Sequence, residues 1–229
     1  MRPPIVILVL ASLAALVLAV VGVPRARAGQ WVASPPQPAV SGYRAVGGDC
    51  AGHVTATGDR LLAFDTWSGS WNARDLGGPH PLVRLLAGGQ VLLFVAEDLA
   101  VAFDAADQEF HEQPLAGTLV DTGFSRPSFA CGDQLAVVVT DQAMHVYDAT
   151  RDAWQTLTNS VPYPHGHFET RAEPDLAYCE LRRQDGIAVN LAYSRRTGTF
   201  ARAEPGLPAI SSSYLLDHGF AGFTAVGDP

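Results

Sequence analysis

The sequence predicts an all-β protein built from repeated four-stranded units. Beyond residue 42 the apolar residues fall in short runs separated by Gly, Pro, Asp and Asn, and no segment keeps a helical period of 3.6 over twelve residues. In addition, one pattern of residues recurs four times at a spacing of about 43 residues, which suits four short strands per unit.

The recurring pattern is an apolar run, an aromatic residue, usually an Asp, and a second aromatic residue after six intervening positions. The four copies read LLAFDTWSGSW (61–71), AVAFDAADQEF (100–110), MHVYDATRDAW (144–154) and NLAYSRRTGTF (190–200). Their aromatic pairs are Phe64 and Trp71, Phe103 and Phe110, Tyr147 and Trp154, and Tyr193 and Phe200. We call this pattern the hairpin signature.

The hairpin signature has the composition of two strands joined by a tight turn. We interpret Asp65, Asp104 and Asp148 as turn caps, because an Asp carboxylate accepts hydrogen bonds from the N–H groups of its own turn, and not as a catalytic cluster. Four positions further on, the turn needs a residue with positive φ. Those positions hold Gly69, Gln108, Asp152 and Gly198. Gln108 suits such a position least.

Each hairpin signature follows another strand-like run, at 52–57, 91–95, 135–139 and 186–189. One four-stranded sheet cannot bury both of its faces, so such units stack around an axis. We therefore predict a β-propeller of about five blades over 43–229, with four clear repeats and an incomplete last blade that starts with strands at 213–216 and 222–226. Either the Pro-rich segment 29–42 supplies a closing strand, or the chain is part of a protein with more blades.

The repeats resemble the kelch repeat, in which a Gly-Gly doublet is followed by two aromatic residues at this spacing. Gly47-Gly48 and Gly88-Gly89 supply the doublet in the first two copies, and Cys131-Gly132 and Gly186 are partial substitutes in the others. The doublets here precede the second strand, where kelch repeats place them after it. Thr197-Gly198 is also similar to the turn of quinoprotein-type propellers. The resemblance implies a propeller blade, a scaffold that serves both binding proteins and enzymes.

Residues 1–28 have the features of a secretory signal peptide. Arg2 precedes an apolar run over 5–21, and Ala26-Arg27-Ala28 supplies the small-x-small pattern that signal peptidase reads. The alternative is an uncleaved N-terminal membrane anchor, since about 17 apolar residues is near the lower limit for a span. We expect a secreted, periplasmic or extracellular protein that is not inserted in the membrane after cleavage.

The composition excludes several classes of function. All fifteen basic residues are Arg, so the chain lacks the Lys of Schiff-base enzymes and of Walker-type phosphate loops. Without Arg2, Arg25 and Arg27 of the leader, the formal charge falls from −8 to −11, which argues against nucleic acid as a partner. The motifs G-x-S-x-G, H-E-x-x-H and G-x-G-x-x-G do not occur, and we expect no cofactor.

The cysteines give an ambiguous signal. Export would place Cys50, Cys131 and Cys179 in an oxidising compartment, but three is an odd number, so at least one thiol stays free or pairs between chains. Their spacing matches no zinc-binding template. The sequence leaves open either one disulfide bond or three buried, inert thiols.

The densest polar cluster is YPHGHFE (163–169), which we place in the connection between the third and fourth blades. In an extended segment His165 and His167 point the same way, which is the spacing of two metal ligands, and Glu169 continues that face. The alternative is a set of solvated turn residues. These three residues are therefore ligand-binding candidates, and the sequence establishes no metal site. The other five histidines are scattered singly.

Two pairs of arginines, at 182–183 and 195–196, fall on adjacent strands of one predicted hairpin. Arg183 and Arg195 together are candidates for binding a carboxylate or sulfate of an acidic glycan. The alternative is a solvated edge that balances the acidic surface. Trp31 and Trp67 are aromatic residues of the kind that stack on sugars when exposed.

These observations favour an exported β-propeller that acts as a non-catalytic binding module for a protein or glycan ligand. One alternative is a propeller enzyme, such as a glycan hydrolase or lyase or a metal-assisted oxidase, with its site on the pore or loop face. Another is a fragment or subunit of a larger propeller, which the unfinished last blade keeps open.

Overall fold

Strands make up the regular structure of the described residues, in agreement with the all-β prediction. The structure is a computed structural model that describes residues 42–120, 128–159, 165–182, 188–203, 214–216 and 220–222. The predicted signal peptide (1–28) and nearly all of the Pro-rich segment 29–42 lie outside these residues. None of the described residues forms a helix that is long and apolar enough to cross a membrane.

The first sixteen strands form four antiparallel sheets of four strands, each a meander in chain order. We number these sheets as blades 1 to 4. Blade 1 contains β1 (Gly42–Gly47), β2 (Cys50–Thr55), β3 (Arg60–Asp65) and β4 (Ser70–Asp75). Blade 2 contains β5 (Leu82–Ala87), β6 (Val91–Ala96), β7 (Leu99–Asp104) and β8 (Glu109–Pro114).

The two remaining four-stranded sheets repeat this order. Blade 3 contains β9 (Phe129–Cys131), β10 (Leu135–Val139), β11 (Ala143–Asp148) and β12 (Ala153–Thr158). Blade 4 contains β13 (His165–Ala172), β14 (Leu176–Arg182), β15 (Ala188–Ser194) and β16 (Thr199–Ala203). A further pair, β17 (Tyr214–Leu216) and β18 (Phe220–Gly222), forms a two-stranded antiparallel sheet.

In every blade the hairpin signature joins the third strand to the fourth. The two aromatic residues of each pair lie directly opposite each other, with ring centroids 4.9 to 5.7 Å apart. The four predicted turn positions all have positive φ, including the two that are not glycine. Their φ angles are 68° at Gly69, 64° at Gln108, 54° at Asp152 and 69° at Gly198.

The blades stack face to face in chain order through three apolar cores. Residues of β2 and β3 pack against β6 and β7, with Leu61 and Phe94 both fully buried. The next core joins blades 2 and 3, and the third joins blades 3 and 4 around Val146 and Leu191. Because β6 and β7 are covered on both faces, all six residues of each strand are buried, which explains their continuous apolar runs.

The first strands of successive blades lie side by side, which places them around a common axis. A Cβ atom on Gly47 would overlap the carbonyl oxygen of Ala87, one on Gly88 would overlap that of Gly132, and one on Gly132 would overlap that of Ala172. The Gly doublets therefore allow the backbones of neighbouring blades to touch. They precede the second strand of their blade, as the sequence predicts, so this part of the blade differs from a kelch repeat. The fold is a β-propeller with four complete blades among the described residues.

Two strand predictions near the end of the chain were wrong in detail. The run at 186–189 overlaps β15, the same strand that carries the fourth signature, and the strand upstream of it is β14. This strand was missed because the buried polar residue Glu180 interrupts its apolar run. In the last sheet, β18 begins at Phe220, two residues before the predicted strand, and residues 223–229 lie outside the described part.

Candidate functional site

The repeated carboxylates are buried and build the scaffold. Asp65 accepts hydrogen bonds from the backbone N–H groups of Trp67 (2.7 Å) and Ser68 (2.9 Å), and Asp148 accepts one from Thr150 (2.9 Å). Asp104 accepts one from Ala106 (2.8 Å). Because each carboxylate closes its own turn, these residues hold the hairpins in place.

Two of these carboxylates also accept a hydrogen bond from a tyrosine hydroxyl of the following blade. The Tyr193 hydroxyl of blade 4 donates to Asp148 Oδ2 at 2.7 Å, and the Tyr147 hydroxyl of blade 3 lies 3.3 Å from Asp104 Oδ2. The Thr150 hydroxyl and Arg151 also donate to Asp148, each at 2.6 Å. The hydrogen bonds from Thr150, Tyr193 and Arg151 hold the pKa of Asp148 below its ordinary value against the effect of burial. The signature thus links one blade to the next.

Arg195 lies on the face that carries the first and third turns of each blade, where it binds other residues of the protein. Its guanidinium donates to Asp175 (2.6 Å) and to the side-chain oxygen of Gln134 in blade 3. Arg196 donates to the other oxygen of Asp175 (2.8 Å), and the two arginines lower the pKa of that carboxyl. The guanidinium of Arg195 is therefore engaged within the fold.

The strand register places Arg182 and Arg195 at opposite ends of one hairpin. Arg182 pairs with Ala188 at one end of the β14–β15 hairpin, whereas Arg195 follows Ser194, which pairs with Leu176 at the other end. A strand of seven residues is about 20 Å long. Arg183 lies outside the described residues, so the joint anion site of Arg183 and Arg195 remains a prediction.

His165, His167 and Glu169 belong to β13, the first strand of blade 4, and not to the connection before it. They pair with Arg182, Leu181 and Glu180, so that three alternate residues of β13 face three consecutive residues of β14. The strand pairing is thus irregular at two points, between His165 and His167 and between His167 and Glu169. These irregularities interrupt the regular alternation of side chains from which a shared face was predicted. The side chains of the three residues lie outside the described part, and their ligand role remains a prediction.

The three cysteines are free thiols in the described structure. Cys50 and Cys179 are buried, Cys131 is half-buried, and burial raises the pKa of each thiol to about 12. This arrangement corresponds to the second of the two alternatives that the sequence left open, since a thiol with such a pKa is a poor nucleophile at neutral pH.

A cluster of acidic residues around one imidazole lies where blades 2 and 3 meet, and we call it the seam cluster. It consists of Asp107, Glu109 and His111 from the third turn and last strand of blade 2, and Asp152 from the corresponding turn of blade 3. One ligand atom from each of the first three residues lies within 4.8 Å of the others. His111 Nε2 is 2.9 Å from Asp152 Oδ1 and 3.3 Å from Asp107 Oδ2.

The two aspartates of the seam cluster share a hydrogen bond. Partial burial and the carboxyl of Asp152 raise the pKa of Asp107 to about 6, while the same hydrogen bond lowers the pKa of Asp152. Asp107 is therefore the carboxyl group of the pair that takes up a proton first as the pH falls. Of two carboxylates this close, one is harder to ionise than the other.

Aromatic residues of blade 3 hold His111 in position. Its ring stacks on Tyr147, with centroids 5.1 Å apart and planes inclined by 28°, and its carbonyl oxygen accepts a hydrogen bond from Trp154 Nε1 at 2.9 Å. The Tyr147 hydroxyl also lies 3.3 Å from Asp152. Sequence reasoning missed this cluster because its members come from two repeats. The alternating pattern D-x-E-x-H at 107–111, followed one repeat later by Asp152 at the turn position that Gln108 holds in blade 2, is the signal that was available.

A second imidazole faces the same seam. His145 lies two residues before Tyr147 on β11, so its side chain points to the same side of blade 3. It is 3% exposed, its Nδ1 is 3.0 Å from Thr156 Oγ1, and its Nε2 has no hydrogen-bond partner. Burial lowers the pKa of His145 to about 4.

Comparisons with known proteins give weak structural similarities. No protein-family model matches the chain, and no curated protein does. Among solved structures, the chain is similar to BamB from Moraxella catarrhalis, with a TM-score of 0.39 and 16% identity over 69% of this chain and 52% of that one. It is also similar to Hsv2 from Kluyveromyces lactis (0.39; 13% identity; 72% and 50%) and to apo AztD from Citrobacter koseri (0.37; 16% identity; 70% and 46%). The chain thus spans about half the length of these structures. The description of the fold as a β-propeller rests on the blades of the chain itself.

Proposed function

We propose that this protein is an exported β-propeller that acts as a binding module and contacts a protein partner through the third turn of blade 1. The observation that carries the proposal is Trp67, whose side chain is 76% exposed at the tip of that turn. Asp65 holds the turn through two backbone hydrogen bonds, one of them from the N–H of Trp67 itself. An exposed Trp on a rigid support is typical of an interface anchor.

Blade 1 carries most of the exposed apolar side chains. Of the four large apolar side chains that are exposed among the described residues, Trp67, Tyr43 (57% exposed) and Val46 (83% exposed) belong to blade 1, and Val83 (39% exposed) belongs to blade 2. Phe64, the first aromatic residue of the blade 1 signature, is half-buried, whereas Phe103, Tyr147 and Tyr193 at the same position in blades 2 to 4 are fully buried. Apolar side chains that are left exposed on one blade favour an interaction surface on that blade.

The seam cluster does not favour the glycan-hydrolase alternative. Hydrolases of this kind hold two carboxyl groups about 5 to 9.5 Å apart, on either side of the sugar bond that they cleave. Asp107 and Asp152 are hydrogen bonded to each other, so no sugar ring fits between them. This pair is better suited to sharing a proton or a cation than to acid–base catalysis.

Site-specific photocrosslinking in the cells that produce the protein tests the proposal. The photoreactive residue benzoylphenylalanine replaces Trp67 in one variant and Ala106 in a control, because Ala106 occupies the same position in the third turn of blade 2 and is also exposed. We expect a protein adduct from position 67 and none from position 106. Equal adducts from both positions, or none from position 67, would contradict the proposal. An adduct removed by glycosidase treatment would instead identify a glycan ligand.

A further inference from the structure

We propose that His80 is a pH-sensitive latch in the connection between blades 1 and 2, residues 76–81, which we call the first link. While its imidazole is protonated, His80 holds the first link to the turn between β6 and β7 of blade 2. When the proton is lost, this contact weakens and the first link opens more often. This role is separate from the proposed binding function and does not depend on the contact at Trp67.

His80 lies between two hydrogen-bond acceptors. Its Nδ1 is 3.0 Å from Asp98 Oδ1, in the turn between β6 and β7, and its Nε2 is 3.2 Å from the carbonyl oxygen of Leu76. An ionised carboxylate and a carbonyl group only accept hydrogen bonds, whereas a neutral imidazole has one N–H group and the imidazolium has two. Both contacts are therefore hydrogen bonds only while the ring carries its second proton.

The charges around His80 favour the protonated ring. The hydrogen bond to Asp98 raises the pKa of His80, the carbonyl group of Leu76 and the charge of Glu112 on β8 act in the same direction, and partial burial acts against them. Glu112 forms an ion pair with Arg74 of β4 at 2.7 Å. Within the described part of the chain, no arginine forms an ion pair with Asp98. The imidazolium of His80 is thus the positive charge beside this carboxylate.

The first link also contacts the turn between β2 and β3 of blade 1. The N–H of Leu76 donates to the carbonyl oxygen of Asp59 at 2.9 Å, and a Cβ atom on Gly58 would overlap the carbonyl oxygen of His80. The carboxyl group of Asp59 accepts hydrogen bonds from two threonine hydroxyls of its own turn. Asp98 is therefore the carboxylate that binds the ring, and His80 connects the corresponding turns of two blades.

Loss of the proton weakens this connection. A neutral ring keeps one N–H group, so one of the two contacts then sets a lone pair of nitrogen against an oxygen. Only 17% of the His80 side chain is exposed, so water does not freely replace the lost partner. Because the fold raises the pKa of His80, the stability from the latch is complete below the ordinary imidazole pKa of about 6.5 and is lost as the pH rises through the pKa of His80.

An NMR titration of the imidazole protons tests the state of the ring, on protein expressed from the full sequence. The signal that is missing in His80→Gln belongs to His80. We expect it to titrate above the ordinary imidazole value in the wild-type protein and at a lower pH in Asp98→Asn. The matched control is Asp107→Asn, which removes a carboxylate 3.3 Å from another imidazole of blade 2, that of His111. This control should leave the pKa of His80 unchanged.

Amide hydrogen exchange, followed by mass spectrometry, tests the opening of the first link. Exchange is compared at about pH 5.5 and about pH 8.5, on either side of the ordinary imidazole value, after correction for the chemical effect of pH on exchange. We expect peptides that cover residues 76–84 to exchange about threefold faster or more at the higher pH in the wild-type protein, and equally at both in His80→Gln. The turn at 140–143, which contains no histidine and is closed by the Thr140 hydroxyl, is the internal control.

Either measurement can contradict the latch. The proposal is overturned if His80 has the same pKa in Asp98→Asn as in the wild-type protein. It is also overturned if exchange of the first link does not depend on pH, or depends on it to the same degree in His80→Gln. The exchange of the wild-type protein needs no substitution, so this test holds even if a variant fails to fold.

Discussion

At the scale of single residues, the Asp of the hairpin signature makes different hydrogen bonds in different blades. Asp65 closes its own turn, whereas Asp104 and Asp148 also lie near a tyrosine hydroxyl of the next blade. Since these carboxylates are buried, each hydrogen bond that they accept has a measurable effect on stability. The residues that identify the repeat in the sequence are therefore the residues that join the blades.

The substitution Tyr193→Phe tests that link. It removes the 2.7 Å hydrogen bond to a buried carboxylate, so we expect a loss of about 1.5 to 3 kcal/mol in the free energy of unfolding, measured with urea. Tyr147→Phe is the matched control, because its hydroxyl lies 3.3 Å from each of two carboxylates and can donate only one proton. Equal losses in the two variants would show that the short bond has no special role.

The buried imidazole of His145 makes stability depend on pH. Its pKa is about 4 in the fold, against about 6.5 in the unfolded chain, so the unfolded state takes up the proton first as the pH falls. The stability conferred by the neutral ring is complete above pH 6.5 and is lost as the pH falls through 4. Relative to His145→Gln, the wild-type protein should lose about 2 to 3 kcal/mol between pH 7 and pH 4.5. Parallel urea unfolding at the two pH values measures this difference, and equal pH dependence of both proteins would refute it.

At the scale of elements, the third turns of the blades show how much a backbone with positive φ favours glycine. Gln108 and Gly69 occupy the same position in blades 2 and 1, with φ angles of 64° and 68°. A residue other than glycine costs about 1 to 2 kcal/mol in this region, while glycine loses about 0.5 to 1 kcal/mol more chain entropy on folding. We therefore expect Gln108→Gly to stabilise the protein by up to about 1 kcal/mol and Gly69→Gln to destabilise it similarly. Thermal unfolding gives both values, and shifts of the same sign would contradict this account.

Substitutions of glycine test how closely the first turns of neighbouring blades, between the first and second strands, approach each other. A Cβ atom at Gly88 would overlap the backbone of Gly132, whereas one at Gly78 would meet no atom within 4 Å. We expect Gly88→Ala to lower the free energy of unfolding by more than about 2 kcal/mol, and Gly78→Ala to change it by less than about 0.5 kcal/mol. Urea unfolding distinguishes the two. A mild effect at Gly88 would mean that the first strands of blades 2 and 3 do not approach as closely as described.

How far the sequence predicts an element depends on how local its causes are. The hairpin signatures and their positive-φ residues follow from a few neighbouring residues, and all four form as predicted. The strand β14 was missed because Glu180 lies on it, and a polar residue is tolerated there only through contacts made after folding. The register of the β14–β15 hairpin also separates Arg182 from Arg195, which no local pattern reveals.

At the scale of the whole molecule, the period of about 43 residues was enough to predict stacked four-stranded sheets, because a sheet with two apolar faces needs a neighbour on each side. The seam cluster was beyond this reasoning. Asp107 and Asp152 lie 45 positions apart, and only the way blade 3 seats on blade 2 brings their carboxyl groups into contact. Sites formed between repeats require the stacking to be known first.

The face of blade 1 that points away from blade 2 is where a second chain would bind if the protein were a subunit of a larger assembly. Val46 is 83% exposed there, and Phe64 is less covered than its counterparts in the other blades. A second copy of the chain on this face would make the protein a subunit of a larger assembly. A module that binds a different protein instead exists alone in solution.

The solution mass of the purified protein, measured by light scattering together with its Val46→Asp variant, tests the central claim of a self-standing binding propeller most directly. We predict a single species with the mass of one chain for both proteins. A wild-type dimer that dissociates in the variant would contradict the claim, since blade 1 would then be covered by a second copy.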